Sequence, residues 1–138
     1  MVRVVSGPKG SGKTKKIIQM ANDKIKESMG EIVFINDREK YRVKLNKVIR
    51  YVNAHDFYIF STEMLFGFLN GLIAENYDID IVYIDNLIRI TKVKSLDELD
   101  EFLKGLNMIE RKYNVQFVLS ISTDKNEIPE IIKEYAIN

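Results

Sequence analysis

Gly7-Pro8-Lys9-Gly10-Ser11-Gly12-Lys13-Thr14 fits the spacing G-x-x-x-x-G-K-[ST]. Residues of these types at this spacing do phosphate chemistry. The glycines let backbone N–H groups turn inward and cradle a polyphosphate. The Lys13 ammonium supplies a point charge for the outer phosphates, and the Thr14 hydroxyl can ligate Mg²⁺. A helix starting here aims its positive end at the same anion. The whole set, Gly7, Pro8, Lys9, Gly10, Ser11, Gly12, Lys13, Thr14 and Lys15, forms the candidate binding loop.

A second feature lies far along the chain. Ile81-Val82-Tyr83-Ile84-Asp85 is an apolar run that ends in a carboxylate. On a later strand beside a phosphate loop, that Asp holds Mg²⁺, directly or through water. Its plainer use is to cap the segment that follows. Thr14 and Asp85 are the two candidate metal ligands.

These groups need elements to hold them. Val2–Val5 reads as a buried parallel strand leading into the loop. After Lys13, Ile17, Ile18, Ala21, Ile25 and Met29 make one helical stripe, and Gly30 suits a helix end. Residues 32–35 form a second strand, whose carboxyl end would face a ligand crevice and bring Asp37, Arg38 and Glu39 there. Residues 40–52 admit two readings, a hairpin turning at Asn46-Lys47 or a short helix followed by one strand. Ser61 is a candidate N-cap for a buried helix running to about Asn76. The third clear strand is 81–84. Ser95-Leu96-Asp97-Glu98 has capping-box spacing before a helical stripe reaching Tyr113. Residues 115–121 make another strand, and Pro129 suits the first turn of a last short helix. Alternation of strands and helices argues for an α/β fold, a mostly parallel central sheet flanked by helices. Residues 1–138 show no linker or internal repeat and read as a single nucleotide-binding domain.

Bulk composition narrows the function. With 46% apolar and 30% charged residues the chain has ordinary globular character. A net charge of +1 gives no global field to recruit nucleic acid or membrane, so such a partner needs a local patch. The absence of cysteine excludes disulfides, thiolate metal sites and cysteine nucleophiles. No run is apolar enough to span a bilayer, and no signal-peptide pattern precedes the first strand. A cytoplasmic protein without a membrane partner is the expectation.

Gly7–Thr14 together with Ile81–Asp85 resemble the Walker A and Walker B motifs of P-loop NTPases, with the layout of a RecA-like ATPase core. The likeness runs from Val2 to about Thr123, and its two motifs are the specific part. It implies a three-layer P-loop fold that binds ATP with Mg²⁺. Many such ATPases carry Glu directly after the Walker B Asp as base for the attacking water. This chain has Asn86 there. RecA-like proteins often use a carboxylate after the second strand instead, which by position implies Asp37 or Glu39. With Lys13, these are the candidate catalytic residues. Ser120, Ser122 and Thr123 resemble the family's polar sensor of the outer phosphate. Hydroxyls at strand ends also cap ordinary turns.

The remaining chemistry is less directed. Arg89, four residues past Asp85, could act as a finger on a neighbour's nucleotide in an oligomer, or stay solvated. His55 beside Asp56 lacks a nucleophile to complete a triad. Arg38, Lys40, Arg42, Lys44, Lys47 and Arg50, with Tyr41 and Tyr51 among them, could track a nucleic acid or meet a protein partner. A solvated, aggregation-resistant sheet edge is the bland alternative. Three functions follow in order: a Mg²⁺-dependent ATP-binding protein with weak or partner-stimulated hydrolysis, a nucleoside-type phosphotransferase, and a non-catalytic nucleotide-responsive module.

Overall fold

Among the described residues five strands, all parallel, form one sheet in the order β1-β5-β4-β2-β3. In this computed structural model, which describes residues 1–124 and 128–137, they are β1 (Arg3–Gly7), β2 (Glu31–Asn36), β3 (Arg50–Asn53), β4 (Ile79–Ile84) and β5 (Gln116–Ser122). The helices are α1 (Lys13–Lys24), α2 (Thr62–Glu75), α3 (Leu87–Thr91) and α4 (Asp100–Tyr113).

Period-two alternation sends side chains to opposite faces of the sheet. Phe34, Ile81, Tyr83 and Val118 meet Ile17, Ile18 and Ala21 of α1 on one face. Val33, Ile35, Val82, Ile84, Phe117 and Leu119 meet α2 and α4 on the other. Because both faces are covered, the strands are continuous apolar runs. Each fully buried Ile, Leu, Val or Phe contributes about 1.5–3 kcal/mol.

The parallel strand Arg50–Asn53, preceded by a 3₁₀ helix at Glu39–Lys44, rules out the hairpin reading of 40–52. A hairpin would have paired these residues antiparallel. Ser61 caps α2 by accepting from Met64 N at 3.0 Å, and α2 ends at Glu75. The Ser95 capping box is present, but it opens a 3₁₀ turn, Leu96–Leu99, ahead of α4. Pro129 likewise precedes a 3₁₀ helix, Glu130–Tyr135.

The apolar stripe overestimates α1. The helix ends at Lys24, and Met29 is exposed beyond it. Gly30 instead opens β2, where a Cβ would collide with the Asp78 carbonyl oxygen. Its job is close backbone approach, not helix termination. Among the described residues, no helix is long and apolar enough to cross a membrane.

Candidate phosphate and metal site

In a parallel sheet every strand delivers its carboxyl end to the same side. Gly7 ends β1, Asn36 ends β2, Asp85 follows β4, and Ser122 ends β5. Ligands in open α/β sheets bind in the crevice at that end.

The loop from Gly7 to Gly12 turns through two left-handed glycines, Gly10 (φ 82°) and Gly12 (φ 89°). Any residue with a Cβ would be strained there. Gly12 is also the N-cap of α1 and has no side-chain cap, so the first-turn N–H groups of the helix lack a side-chain acceptor. Ser11 N donates to Pro8 O at 3.1 Å, and Thr123 N donates to Gly7 O at 3.0 Å, tying the loop to β5. Lys13 Nζ donates to Pro8 O at 2.9 Å and so folds over its own loop. Burial lowers the Lys13 pKa, and the Asp85 charge only partly opposes this.

The fold brings Thr14 and Asp85 together across 71 residues. Thr14 Oγ1 donates to Asp85 at 3.0 and 3.2 Å from its two carboxylate oxygens. Ser120 Oγ donates to Asp85 Oδ1 at 2.6 Å and accepts from Asn86 N at 2.7 Å. Asp85 is 1% exposed. A buried carboxylate is costly without partners, and two hydroxyls supply them. Ser120 therefore orients Asp85. Ser122, the next residue on that face, lines the cleft.

Among the described residues no group of three His, Cys, Asp or Glu could hold a metal by itself. Mg²⁺ does not require one. It keeps several waters and takes one or two protein oxygens plus substrate phosphates. A hydroxyl and a carboxylate in contact, at the mouth of a glycine loop, fit that donor set.

Asp37 and Glu39 are placed differently. Asp37 accepts from Arg89 through both carboxylate oxygens, at 2.6 and 2.7 Å, with His55 Nε2 3.9 Å away. Its side chain is 4% exposed. Burial pushes its pKa up, but the Arg89 hydrogen bonds and charge, helped by His55, bring it below the ordinary carboxylate range. Glu39 is exposed, pairs with Arg42 at 2.7 Å and accepts from Asn53 Nδ2 at 3.1 Å. Neither carboxylate lines the cleft.

Asn86 has a structural duty. It sits in the left-handed region (φ 66°) at the start of α3, where Asn is tolerated. With its amide oxygen toward Arg89 it accepts from both terminal guanidinium nitrogens, at 3.1 and 3.2 Å. Arg89 is thus held within its own chain by Asp37 and Asn86, while still bordering the cleft.

The cleft itself encloses about 970 Å³. Lys9, Lys13, Lys15, Arg38, Lys44 and Arg89 line it, and among the described residues its lining includes no Asp or Glu. The basic run is accordingly divided. Arg42 and Arg50 pair with Glu39 and Glu31, whereas Arg38 and Lys44 turn to the cleft with Tyr41. Sequence spacing gave no sign of the Asp37–Arg89 pair or of this division, since each depends on contacts between separate elements.

The chain matches no family model and no curated protein.

Proposed function

We propose that this chain is a P-loop protein of three-layer, RecA-like type that binds a nucleoside triphosphate, ATP by its resemblance, together with Mg²⁺. The Thr14–Asp85–Ser120 constellation at the mouth of the glycine loop carries the reading. Two separated motifs meet there with the donor chemistry that a Mg²⁺–phosphate complex requires.

Lys13 neutralises phosphate charge after releasing Pro8 O. The N–H groups of Gly10 and Gly12 and of the first turn of α1 cradle the phosphates, while Ser11 N stays on Pro8 O. Thr14 and Asp85 would hold the metal, and Ser120 keeps Asp85 oriented. Bound Mg²⁺ would supply charge neutralisation at the outer phosphates. Asp37 and Glu39 have other partners, and Asn86 cannot serve as a carboxylate base. Hydrolysis is therefore slow or awaits a partner that contributes a base.

Calorimetric titration with ATP, with and without Mg²⁺, tests this. The parent binds in the micromolar range or tighter with Mg²⁺. Lys13→Ala weakens binding at least about tenfold, in line with loss of a charge-assisted contact, and Asp85→Asn abolishes the Mg²⁺ dependence. ATP affinity unchanged in Lys13→Ala would overturn the reading.

A further inference from the structure

A 3₁₀ helix has three residues per turn, so residues i, i+3 and i+6 form one ridge. In Glu39–Lys44 this sorts the basic run into three faces. Glu39 and Arg42 pair with each other, and Arg42 lies 4.7 Å from the Tyr51 ring centroid. Lys40 and Val43 are exposed, and Lys40 Nζ reaches back over the Tyr41 ring, 5.2 Å from its centroid, where an incoming base would have to displace it. Tyr41 and Lys44 form the third ridge, which the extended N-cap Arg38 continues, and all three line the cleft together with residues of the glycine loop.

That ridge is clamped to α1. Asn22 Nδ2 donates to Lys44 O at 3.0 Å, and Asn22 Oδ1 accepts from Asn46 N at 2.8 Å. Asn36 Oδ1 accepts from Arg38 N at 3.2 Å at the other end. Among the described residues neither Arg38 nor Lys44 has an ion-pair partner, while neighbouring Arg42 and Arg50 do. Arg38, the extended residue before the helix, and Lys44, its last residue, are thus uncompensated cations on either side of Tyr41 along the chain. Strand order adds a direction. The loop leaves β1, Asp85 follows β4, and the ridge follows β2, on the far side of β4 from β1. A triphosphate on the loop turns its outer phosphates toward the Mg²⁺ ligand Asp85. The ridge lies beyond that end.

We propose that Arg38, Tyr41 and Lys44 recognise a second ligand in the same cleft, a nucleoside monophosphate whose phosphate meets the two cations and whose base lies against Tyr41. The proposal rests on the triphosphate reading of the glycine loop. A compact ligand suits the site better than a polynucleotide, because pairing of Arg42 and Arg50 interrupts the cationic track outside the cleft.

Calorimetry with AMP, GMP, CMP and UMP, on protein saturated with Mg²⁺ and a non-hydrolysable ATP analogue, is the test. At least one monophosphate should bind. Arg38→Gln with Lys44→Gln should weaken it on the order of 100-fold, and Tyr41→Ala about tenfold, from loss of charge-assisted bonds and stacking. Both variants should keep the analogue's affinity within about threefold, as fits residues beyond its phosphates. Thermal melting confirms that they fold. Lys13→Ala should lose the analogue yet keep the monophosphate. If Lys13→Ala keeps the analogue while the ridge variants lose the monophosphate, the triphosphate reading fails and the ridge assignment stands. The ridge assignment is overturned if no monophosphate binds the parent or if the ridge variants bind it normally. It also falls if the variants lose analogue and monophosphate in equal measure, or if only oligothymidylate binds in a ridge-dependent way.

Discussion

Replacing Arg89 with Met strands a carboxylate. Asp37 is 4% exposed and accepts from Arg89 at 2.6 and 2.7 Å. Breaking a fully buried pair by removing one partner costs about 3–5 kcal/mol. Arg89 is 33% exposed, so water reaches the vacated end, and screening reduces the figure to about 2–3 kcal/mol. For a chain of this size that lowers the melting temperature by on the order of 10 °C. The assay is thermal and urea unfolding without nucleotide, which keeps it independent of ligand binding.

Acid supplies the sharper part. In the parent, the folded pKa of Asp37 is depressed. Its stabilisation is present above the unfolded value of about 3.9 and is lost as pH falls through the lower folded pKa. In Arg89→Met burial persists without the guanidinium, so the folded pKa rises and protonation relieves the variant first. The stability gap between parent and variant should narrow from pH 7 toward about pH 3. Adding Asp37→Asn to Arg89→Met removes the stranded charge and should recover more than half of the loss. A pH 7 melting temperature within about 2 °C of the parent, or a gap that does not change with pH, would refute the reasoning.

Two further predictions concern the scaffold. Gly30→Ala sets a Cβ against the Asp78 carbonyl, which also accepts from Glu31 N at 2.8 Å, so the start of β2 must shift. Urea unfolding should show a loss of about 1–3 kcal/mol, whereas Gly67→Ala, in open space on α2, gains up to about 1 kcal/mol. Burial raises the Tyr51 and Tyr83 phenols to about 12. In near-ultraviolet titration two of the seven tyrosines should therefore ionise last, and the stability they contribute, full below about pH 10, should disappear as pH rises through about 12.

What the sequence disclosed follows from the range of each signal. Strands buried on both faces are continuous apolar runs, so β1, β2, β4 and β5 are visible from composition alone. The Ser61 cap is a contact three residues long and is equally visible. Residues 38–44 are different. Cations alternating with Tyr41, Val43 and Leu45 mimic strand period, yet the backbone takes a three-residue period, because Leu45 is buried while Val43 is exposed. Two periods compete over seven residues, and tertiary packing decides between them. Arg89 and Asp37 are 52 residues apart, and only the alignment of α3 with the end of β2 joins them. No local pattern encodes that.

Asn86 shows how backbone geometry can set chemistry. Read along the sequence, it is a missing base after Asp85. Its left-handed backbone, its N–H on Ser120 and its amide toward Arg89 instead make it the joint between β4 and α3. A Glu there would meet the left-handed penalty of about 1–2 kcal/mol. It would also compete with Asp37 for Arg89, so its carboxylate would be drawn to the guanidinium and away from a water near the outer phosphate. Two positions that a water-activating carboxylate could occupy are thus tied to Arg89, one as partner and one as support. The same ion pair that stabilises the sheet end leaves the cleft, among the described residues, lined by cations without a carboxylate. Such a lining favours holding phosphates over activating water, which is why binding of two phosphorylated ligands, with slow turnover, is the function proposed for this cleft.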